Sequence, residues 1–249
     1  MNKQLLTGLA VGLITMGVCT VVAAAPIDLN TWTDTPGGSW NVSADGSSVL
    51  QTTNGQPTMF LSTQNYFNTQ FEGKFGVETA GDDDFMGFVF GYQSNTDYLL
   101  FDWKQGIQTF TGTAQDGFTL SRITGTDVNF WDHSGSDITV LGTDYGNAGN
   151  DRGWSDNTIY DFSLVYTATG LTISIDGSQI FAQSGSFSSG KFGFYNYSQS
   201  HVRYMGFTEE VSAPIDPDTP NSVPEPATML LFGTGLAGLV GSRIRKKKK

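Results

Sequence analysis

The chain has 249 residues and a formal net charge of −11 that is unevenly distributed. Residues 26–222 contain 6 Lys or Arg against 23 Asp or Glu, and this balance of 6 − 23 = −17 disfavours binding to nucleic acid. The one cysteine, Cys19, lies in an apolar leader, which excludes disulfides, thiol nucleophiles and zinc–thiolate sites from the remainder.

The first 25 residues have the layout of a secretory signal peptide. Lys3 precedes an apolar run that ends at Val22, and small residues follow it. We expect residues 1–25 to form a signal helix and cleavage to follow Ala24, so that the secretion machinery exports the chain. A retained membrane anchor and a lipoprotein signal are the alternatives.

The body of the chain, residues 26–211, has the period-two pattern of β-strands rather than the 3.6-residue period of helices. Residues 71–78 alternate between apolar and polar side chains, as do two runs within residues 162–176. Asp176-Gly177 predicts a hairpin at the end of the second run. Residues 85–92 are apolar on both faces, as in a strand covered on each side. These patterns predict an all-β fold, an antiparallel sandwich or jelly roll.

Three adjacent aspartates, Asp82, Asp83 and Asp84, stand directly before this apolar strand. Neighbouring carboxylates repel one another, so a tight turn that contains them becomes favourable if a divalent cation lies among them. Calcium takes about six to eight oxygen ligands at about 2.3–2.6 Å and often uses aspartate. The sequence therefore predicts a calcium site at these three residues, with a solvated acidic turn as the alternative.

The same segment resembles the C-terminal domain of thrombospondins. In that family an Asp-rich turn leads into a Gly-Phe-Val-Phe-Gly-Tyr-Gln strand, as in residues 82–94, and residues 98–105 continue the match through Trp-Lys-Gln. The resemblance extends over residues 55–208. It implies a concanavalin A-like, L-type-lectin-like sandwich that binds calcium and acts in adhesion or matrix contacts.

A second resemblance, to legume-type lectins, concerns Asp84 and Asp102. Those lectins carry an Asp just before a Gly-x-Ala-Phe strand, and this Asp contacts both the sugar and the calcium-ordered loop. Residues 84–88 are similar, with Phe85 at the usual Gly position. Phe101-Asp102 resembles the Phe-Asp of their next strand, where the Asp is a calcium ligand. The resemblance implies Asp84 as a ligand contact and Asp102 as a metal ligand. Thrombospondins lack an acid there, which leaves an exposed strand aspartate as the alternative.

Two tryptophans, Trp131 and Trp154, are candidates to line a ligand-binding rim, because aromatic faces stack on sugars. Burial in the core is the commoner role of tryptophan. The loop 144–151 mixes Asp, Asn and Gly, a composition that suits a second calcium site but is also that of an ordinary long turn.

The glutamates disfavour a catalytic role. Laminarinase-type glycosidases share the lectin-like sandwich and use a Glu-x-Asp-x-x-Glu strand, which this chain lacks. Retaining catalysis needs two carboxyl groups about 5–5.5 Å apart. Glu72 and Glu78 would lie about 20 Å apart on one strand at about 3.3 Å per residue. We expect no enzyme activity, and a glycosidase is the least favoured interpretation.

The C-terminal segment resembles a PEP-CTERM sorting signal. Residues 212–222, with several Pro and Asp, predict an extended spacer. Within residues 223–249, Pro224-Glu225-Pro226 precedes an apolar stretch and a basic tail. The stretch would be about 24 Å long as a helix, which is short for a membrane span. The resemblance implies a transmembrane helix, recognition at Pro224, Glu225 and Pro226 by an exosortase, and export to the envelope or matrix of a Gram-negative bacterium. An ordinary tail anchor is the alternative.

Together these patterns predict an exported, calcium-binding, lectin-like module that binds polysaccharide or protein in the envelope or biofilm matrix. A structural matrix protein that uses calcium for stability alone is the alternative. The expected partners are calcium, an exopolysaccharide or envelope protein, the exosortase and the secretion machinery.

Overall fold

A computed structural model describes residues 24–146 and 152–211 and shows two antiparallel sheets packed face to face. The all-β sandwich predicted from the sequence is confirmed. The predicted signal helix, spacer and C-terminal hydrophobic helix fall in residues 1–23 and 212–249, outside the described ranges. In the described part of the chain, no helix is long and apolar enough to cross a membrane. The one 3-10 helix there is Leu29–Thr31.

Seventeen strands lie in the described ranges. In chain order they are β1 (Ala25–Pro26), β2 (Thr33–Asp34), β3 (Trp40–Val42), β4 (Ser48–Gln51), β5 (Thr58–Tyr66), β6 (Thr69–Val77), β7 (Phe85–Ser94), β8 (Asp97–Lys104), β9 (Gln108–Thr109), β10 (Thr113–Ala114), β11 (Gly117–Ile123), β12 (Ile138–Tyr145), β13 (Tyr160–Tyr166), β14 (Gly170–Ile175), β15 (Ser178–Ser184), β16 (Gly190–Tyr197) and β17 (Val202–Val211). Sheet A has the order β15-β14-β13-β6-β17-β4-β3, with β1 also paired to β17. Sheet B has the order β12-β11-β8-β7-β16-β5-β2, and β9 and β10 form a separate hairpin.

In sheet A, the period-two pattern of the sequence corresponds to alternating burial of the side chains. In β6 the side chains of Phe71, Phe75 and Val77 are buried, whereas Glu72 and Lys74 between them are exposed. Strands β13 and β14 alternate in the same way. Their apolar faces therefore point toward sheet B, while the polar faces meet solvent.

The predicted hairpin at Asp176-Gly177 is confirmed. Asp176 has a φ of 48° and Gly177 a φ of 74°, which places both in the left-handed region that a two-residue hairpin turn requires. Glycine reaches this region without strain and aspartate tolerates it, so the dipeptide favours the turn between β14 and β15.

Aromatic side chains fill the space between the sheets. Phe192 lies at the centre, with ring centroids 4.8 Å from Phe71, 5.6 Å from Phe88, 5.7 Å from Phe194 and 4.8 Å from Phe207. These rings come from both sheets and pack in stacked, tilted and edge-on pairs. A chain without body cysteines thus derives its cohesion from apolar burial.

Sheet B is buried on its second face as well. A separate apolar cluster on that face includes Phe85, Val89, Leu100 and Tyr195. It is covered by the segments 105–116 and 124–137, which contribute Ala114 and Trp131 to it. This double burial explains why β7 is apolar on both faces.

The first and last strands of the sandwich pair with each other. Ala25 lies opposite Glu209 and Pro26 opposite Thr208, and Ile27 N donates to Phe207 O over 3.0 Å. Sheet A therefore includes backbone from both ends of the folded region.

We expect Phe192→Ala to lower the free energy of unfolding by about 3–5 kcal/mol, because it leaves a cavity among rings that cannot fully collapse. Urea denaturation measures this loss. Phe110→Ala is the matched control: Phe110 is 76% exposed, so its loss changes stability by less than about 0.5 kcal/mol. Equal losses in both variants would contradict the assigned core.

Candidate functional site

The three adjacent aspartates form the loop that enters β7 at one end of sheet B. The loop is fixed by its backbone: Asp84 N donates to Gln199 Oε1 over 2.9 Å, and Trp154 Nε1 donates to Asp84 O over 3.1 Å. Gln199 is fully buried, and Trp154 is 2% exposed. The acidic loop is therefore held in position by hydrogen bonds between its backbone and buried side chains.

The carboxylates of Asp82, Asp83 and Asp84 converge. One oxygen from each lies within 4.8 Å of the others. Calcium binds oxygens at about 2.3–2.6 Å, so two of its ligands can lie up to about 5 Å apart. The oxygen atoms are of the hard type that calcium prefers. These residues therefore fit such an ion, and calcium binding at them stays a prediction.

The pKa of Asp82 is shifted at this site. Burial, followed by the charge of Asp84, raises the pKa of the Asp82 carboxyl from 3.8 to about 6. One Asp82 oxygen accepts from Asn54 Nδ2 over 2.6 Å. The folded protein therefore disfavours the charged form of Asp82.

Lys104 is the protein's own counter-charge to this cluster. Its side chain is fully buried, and Nζ donates to Asp84 Oδ1 over 2.8 Å, Asp83 O over 3.0 Å and Gln108 Oε1 over 2.9 Å. The ammonium also lies 4.9 Å from the ring centroid of Trp131. A buried ammonium with these partners ties β8 to the acidic loop and to β9.

Sequence reasoning missed Lys104 as a member of the site. The available signal was that it is the one Lys or Arg between residues 75 and 121, at the end of a strand that is otherwise mainly apolar. Its contact with Asp84 depends on the pairing of Phe85 with Lys104 between β7 and β8. A single sequence does not give that register.

Asp102 lies outside the acidic cluster. It is 1% exposed, and both of its carboxylate oxygens contact His133 Nε2, over 2.8 and 3.1 Å. The alternative of an exposed strand aspartate is therefore wrong. Burial lowers the pKa of the His133 ring, but the Asp102 carboxylate outweighs it and the net shift is upward. This pair fastens the segment 124–137 onto sheet B, and a metal role for Asp102 stays a prediction.

The two tryptophans occupy different places. Trp154 lies in the core between the sheets, so the expectation that it lines a rim is wrong. Its indole lies beneath the acidic loop, where Nε1 donates to Asp84 O. Trp131 is 6% exposed but lines an open groove of about 510 Å³, together with Asp84, Phe110 and Tyr197. Asp84 and Trp131 thus line the same groove, and their role as ligand contacts stays a prediction.

The remaining predicted positions are only partly described. In the loop 144–151, Asp144 forms an ion pair with Arg152 over 3.0 Å, while residues 147–151 lie outside the described ranges. Ala24, the predicted cleavage position, is the first described residue and is half-buried. Pro224, Glu225 and Pro226 lie outside the described ranges.

Comparison with known families gives two matches on this chain. The family described as the thrombospondin C-terminal region matches residues 35–211, which include the acidic loop, Lys104 and the groove. The PEP-CTERM protein-sorting motif matches residues 222–246.

Similar curated proteins are thrombospondins. Thrombospondin-2 of Gallus gallus is 30% identical over 193 residues, which cover 69% of this chain and 16% of that protein. Thrombospondin-3 of Homo sapiens is 29% identical over 187 residues, which cover 66% of this chain and 19% of that protein. The chain therefore spans less than a fifth of the length of these relatives.

Among solved structures, a carbohydrate-binding module of Bacillus subtilis, CBM66, has a similar fold. It superposes with a TM-score of 0.52 at 12% identity, over 72% of this chain and 95% of that one. At this identity the likeness establishes a shared β-sandwich fold and nothing about the ligand.

We expect Lys104→Met to lower the free energy of unfolding by about 3–5 kcal/mol, because it leaves the buried Asp84 carboxylate without its partner. Denaturant titration in calcium-free buffer measures the effect. The control Lys74→Met breaks an exposed pair with Asp161 and costs at most about 1 kcal/mol. Adding Asp84→Leu to Lys104→Met should restore much of the loss. A cost below that of the control would contradict the role assigned to Lys104.

Proposed function

The chain belongs to the thrombospondin C-terminal family, and we propose that it is an exported, calcium-binding, lectin-like module of the cell envelope or extracellular matrix. One observation carries the calcium part of this proposal. Three carboxylates converge within 4.8 Å at one end of sheet B, in a loop that the core holds in place.

The charges at the site support a single divalent ion. The three ionised carboxylates and the Lys104 ammonium leave a net charge of −2, since −3 + 1 = −2. One calcium ion neutralises that remainder. The pKa of Asp82 is raised by burial first and by the charge of Asp84 second, and a bound cation would oppose both effects. Asp82, Asp83 and Asp84 would hold the ion through their oxygens.

Export is supported by the sorting motif. Its match at residues 222–246 includes Pro224, Glu225 and Pro226, where an exosortase would act. With the predicted signal peptide and cleavage after Ala24, this motif supports a location of the folded region outside the inner membrane. The C-terminal segment would anchor the chain there in transit to the outer surface or biofilm matrix, where an exopolysaccharide or an envelope protein would be its partner.

We propose binding rather than catalysis. The glutamates of the described residues lie on β6 and β17 of sheet A or, for Glu78, directly after β6, whereas the acidic loop and the groove belong to sheet B. At the acidic loop, Asp84 Oδ1 is held by Lys104 at 2.8 Å. That carboxylate is thereby engaged in a buried ion pair.

Calcium could serve adhesion or stability alone. Bound calcium raises the stability of any fold that binds it, and this chain has no body cysteine to form a disulfide. A glycan array read with and without chelator distinguishes the two roles. Binding that chelation abolishes favours adhesion, and an absence of binding in both conditions favours stability alone.

We expect calcium to raise the melting temperature of the purified protein, by an amount equivalent to about 2.7 kcal/mol when its concentration is 100 times the dissociation constant. Asp82→Asn should abolish this rise, because it removes one ligand charge. Asp34→Asn, at an exposed aspartate in β2, should leave it intact. Calorimetric titration with calcium measures the same two variants. An unchanged wild-type melting curve would contradict a metal role for the cluster.

In calcium-free buffer we expect Asp82→Asn to be more stable than the wild type, because the substitution removes a half-buried charge. Between pH 3.8 and about 6 the folded protein holds the Asp82 proton that the unfolded chain has lost. The unfolding free energy of the wild type therefore falls relative to that of the variant as pH rises through this window. Thermal melts of both proteins from pH 4 to pH 7 test this, and a constant difference would refute the pKa shift.

A further inference from the structure

The groove beside the acidic loop has a wall built from aromatic rings. Phe110, at the tip of the β9–β10 hairpin, meets Trp131 edge-on with ring centroids 5.7 Å apart. Tyr197, at the end of β16, is half-buried and lies edge-on to Trp131 at 6.1 Å. Behind it, Phe85 stacks on Tyr197 at 5.6 Å. The groove therefore has a continuous apolar side made of flat surfaces.

Phe110 is presented to solvent by a braced hairpin. It is 76% exposed, more than any other large apolar side chain of the described residues. Phe110 N donates to Gly112 O over 2.9 Å, and the hydroxyls of Thr109 and Thr113 lie 3.2 Å apart. A side chain at Gly112 would collide with the Asp132 carboxylate, so the hairpin sits tightly against the segment 124–137. The exposed ring contributes little to the core. Because the hairpin already holds it in place, less conformational entropy is lost when a ligand binds.

Apart from Asp84, the polar side chains that line the groove are uncharged. Asn54 and Gln56 are exposed amides, and Ser198 supplies a hydroxyl. Gln108 accepts from Lys104 through its oxygen, which leaves its NH₂ group as a donor. A lining of aromatic rings together with amides and hydroxyls matches a sugar ring, which has an apolar C–H face and an edge of hydroxyl groups.

The charges decide which sugars fit. No Lys, Arg or His lines the groove among the described residues, and its one charged group is the Asp84 carboxylate. The nearby ammonium of Lys104 is already bound by Asp84 and Gln108. A polysaccharide with carboxylate or sulfate groups would thus find no Lys, Arg or His side chain in the groove to pair with, and it would lie beside the Asp84 carboxylate. An uncharged chain meets no such penalty.

We propose that this groove binds an uncharged polysaccharide, with Phe110 and Tyr197 stacking on its sugar rings. The proposal rests on the proposed function, because the groove shares Asp84 and Asn54 with the calcium cluster. Asn54 reaches from the groove to Asp82 over 2.6 Å, so a cation at the cluster fixes one wall of the groove. Chelation therefore weakens sugar binding.

Native affinity electrophoresis of the full chain tests this, with laminarin, dextran, mannan or xylan in the gel, and alginate and hyaluronate as charged counterparts. With calcium present, at least one uncharged polymer should retard the protein, and the charged ones should not. Phe110→Ala should weaken the binding about tenfold. Phe110→Tyr should restore it. Ile159→Ala, at another exposed apolar residue, is the control and should have no effect.

The outcomes separate this proposal from the calcium proposal. Phe110→Ala should lose sugar binding while its calcium-induced rise in melting temperature stays at the wild-type value. The groove assignment is overturned if no uncharged polymer retards the protein, if alginate or hyaluronate binds better, or if Phe110→Ala binds like the wild type. If retardation persists in chelator and in Asp82→Asn, the groove stands and its coupling to calcium is wrong.

Discussion

Repulsion among three neighbouring carboxylates constrains one whole end of the sandwich. Lys104 is buried to counter it and in doing so joins β8, the acidic loop and β9 through three hydrogen bonds. One ammonium cannot neutralise three charges, and burial together with the charge of Asp84 raises the pKa of Asp82. Gln199 and Trp154 hold the backbone of Asp84, so the position of the loop does not depend on an ion.

Aromatic packing makes such an arrangement possible in a chain whose body has no cysteine. Rings fill the space between the sheets, and a second cluster covers the far face of sheet B. The segment that bears Trp131 is fastened to this second face by His133 on Asp102. The acidic loop and the groove thus adjoin a sheet whose two faces are both packed. This is the condition under which a preformed groove retains its shape.

The sequence determined local features better than distant contacts. Alternation in β6, β13 and β14 fixes which face is buried, so the sandwich and the Asp176-Gly177 turn could be predicted. The three adjacent aspartates must lie together because they are consecutive. Lys104 and His133 reach their carboxylate partners only through strand register and loop placement, which a single sequence does not encode visibly. Trp154 shows the same limit, since residue type alone does not separate a core indole from one at a rim.

The pairing of β1 with β17 has a consequence for the order of events in export. Ala25 and Pro26 complete sheet A only when Thr208 and Glu209 are available to meet them. Contacts that join residues so far apart in sequence form late, since a long loop must close first. The sandwich therefore cannot be finished while its last strand is still in the ribosome or the translocation channel. Removal of a leader at Ala24 would act on a chain whose first strand is not yet docked, and the backbone there would be open to a peptidase.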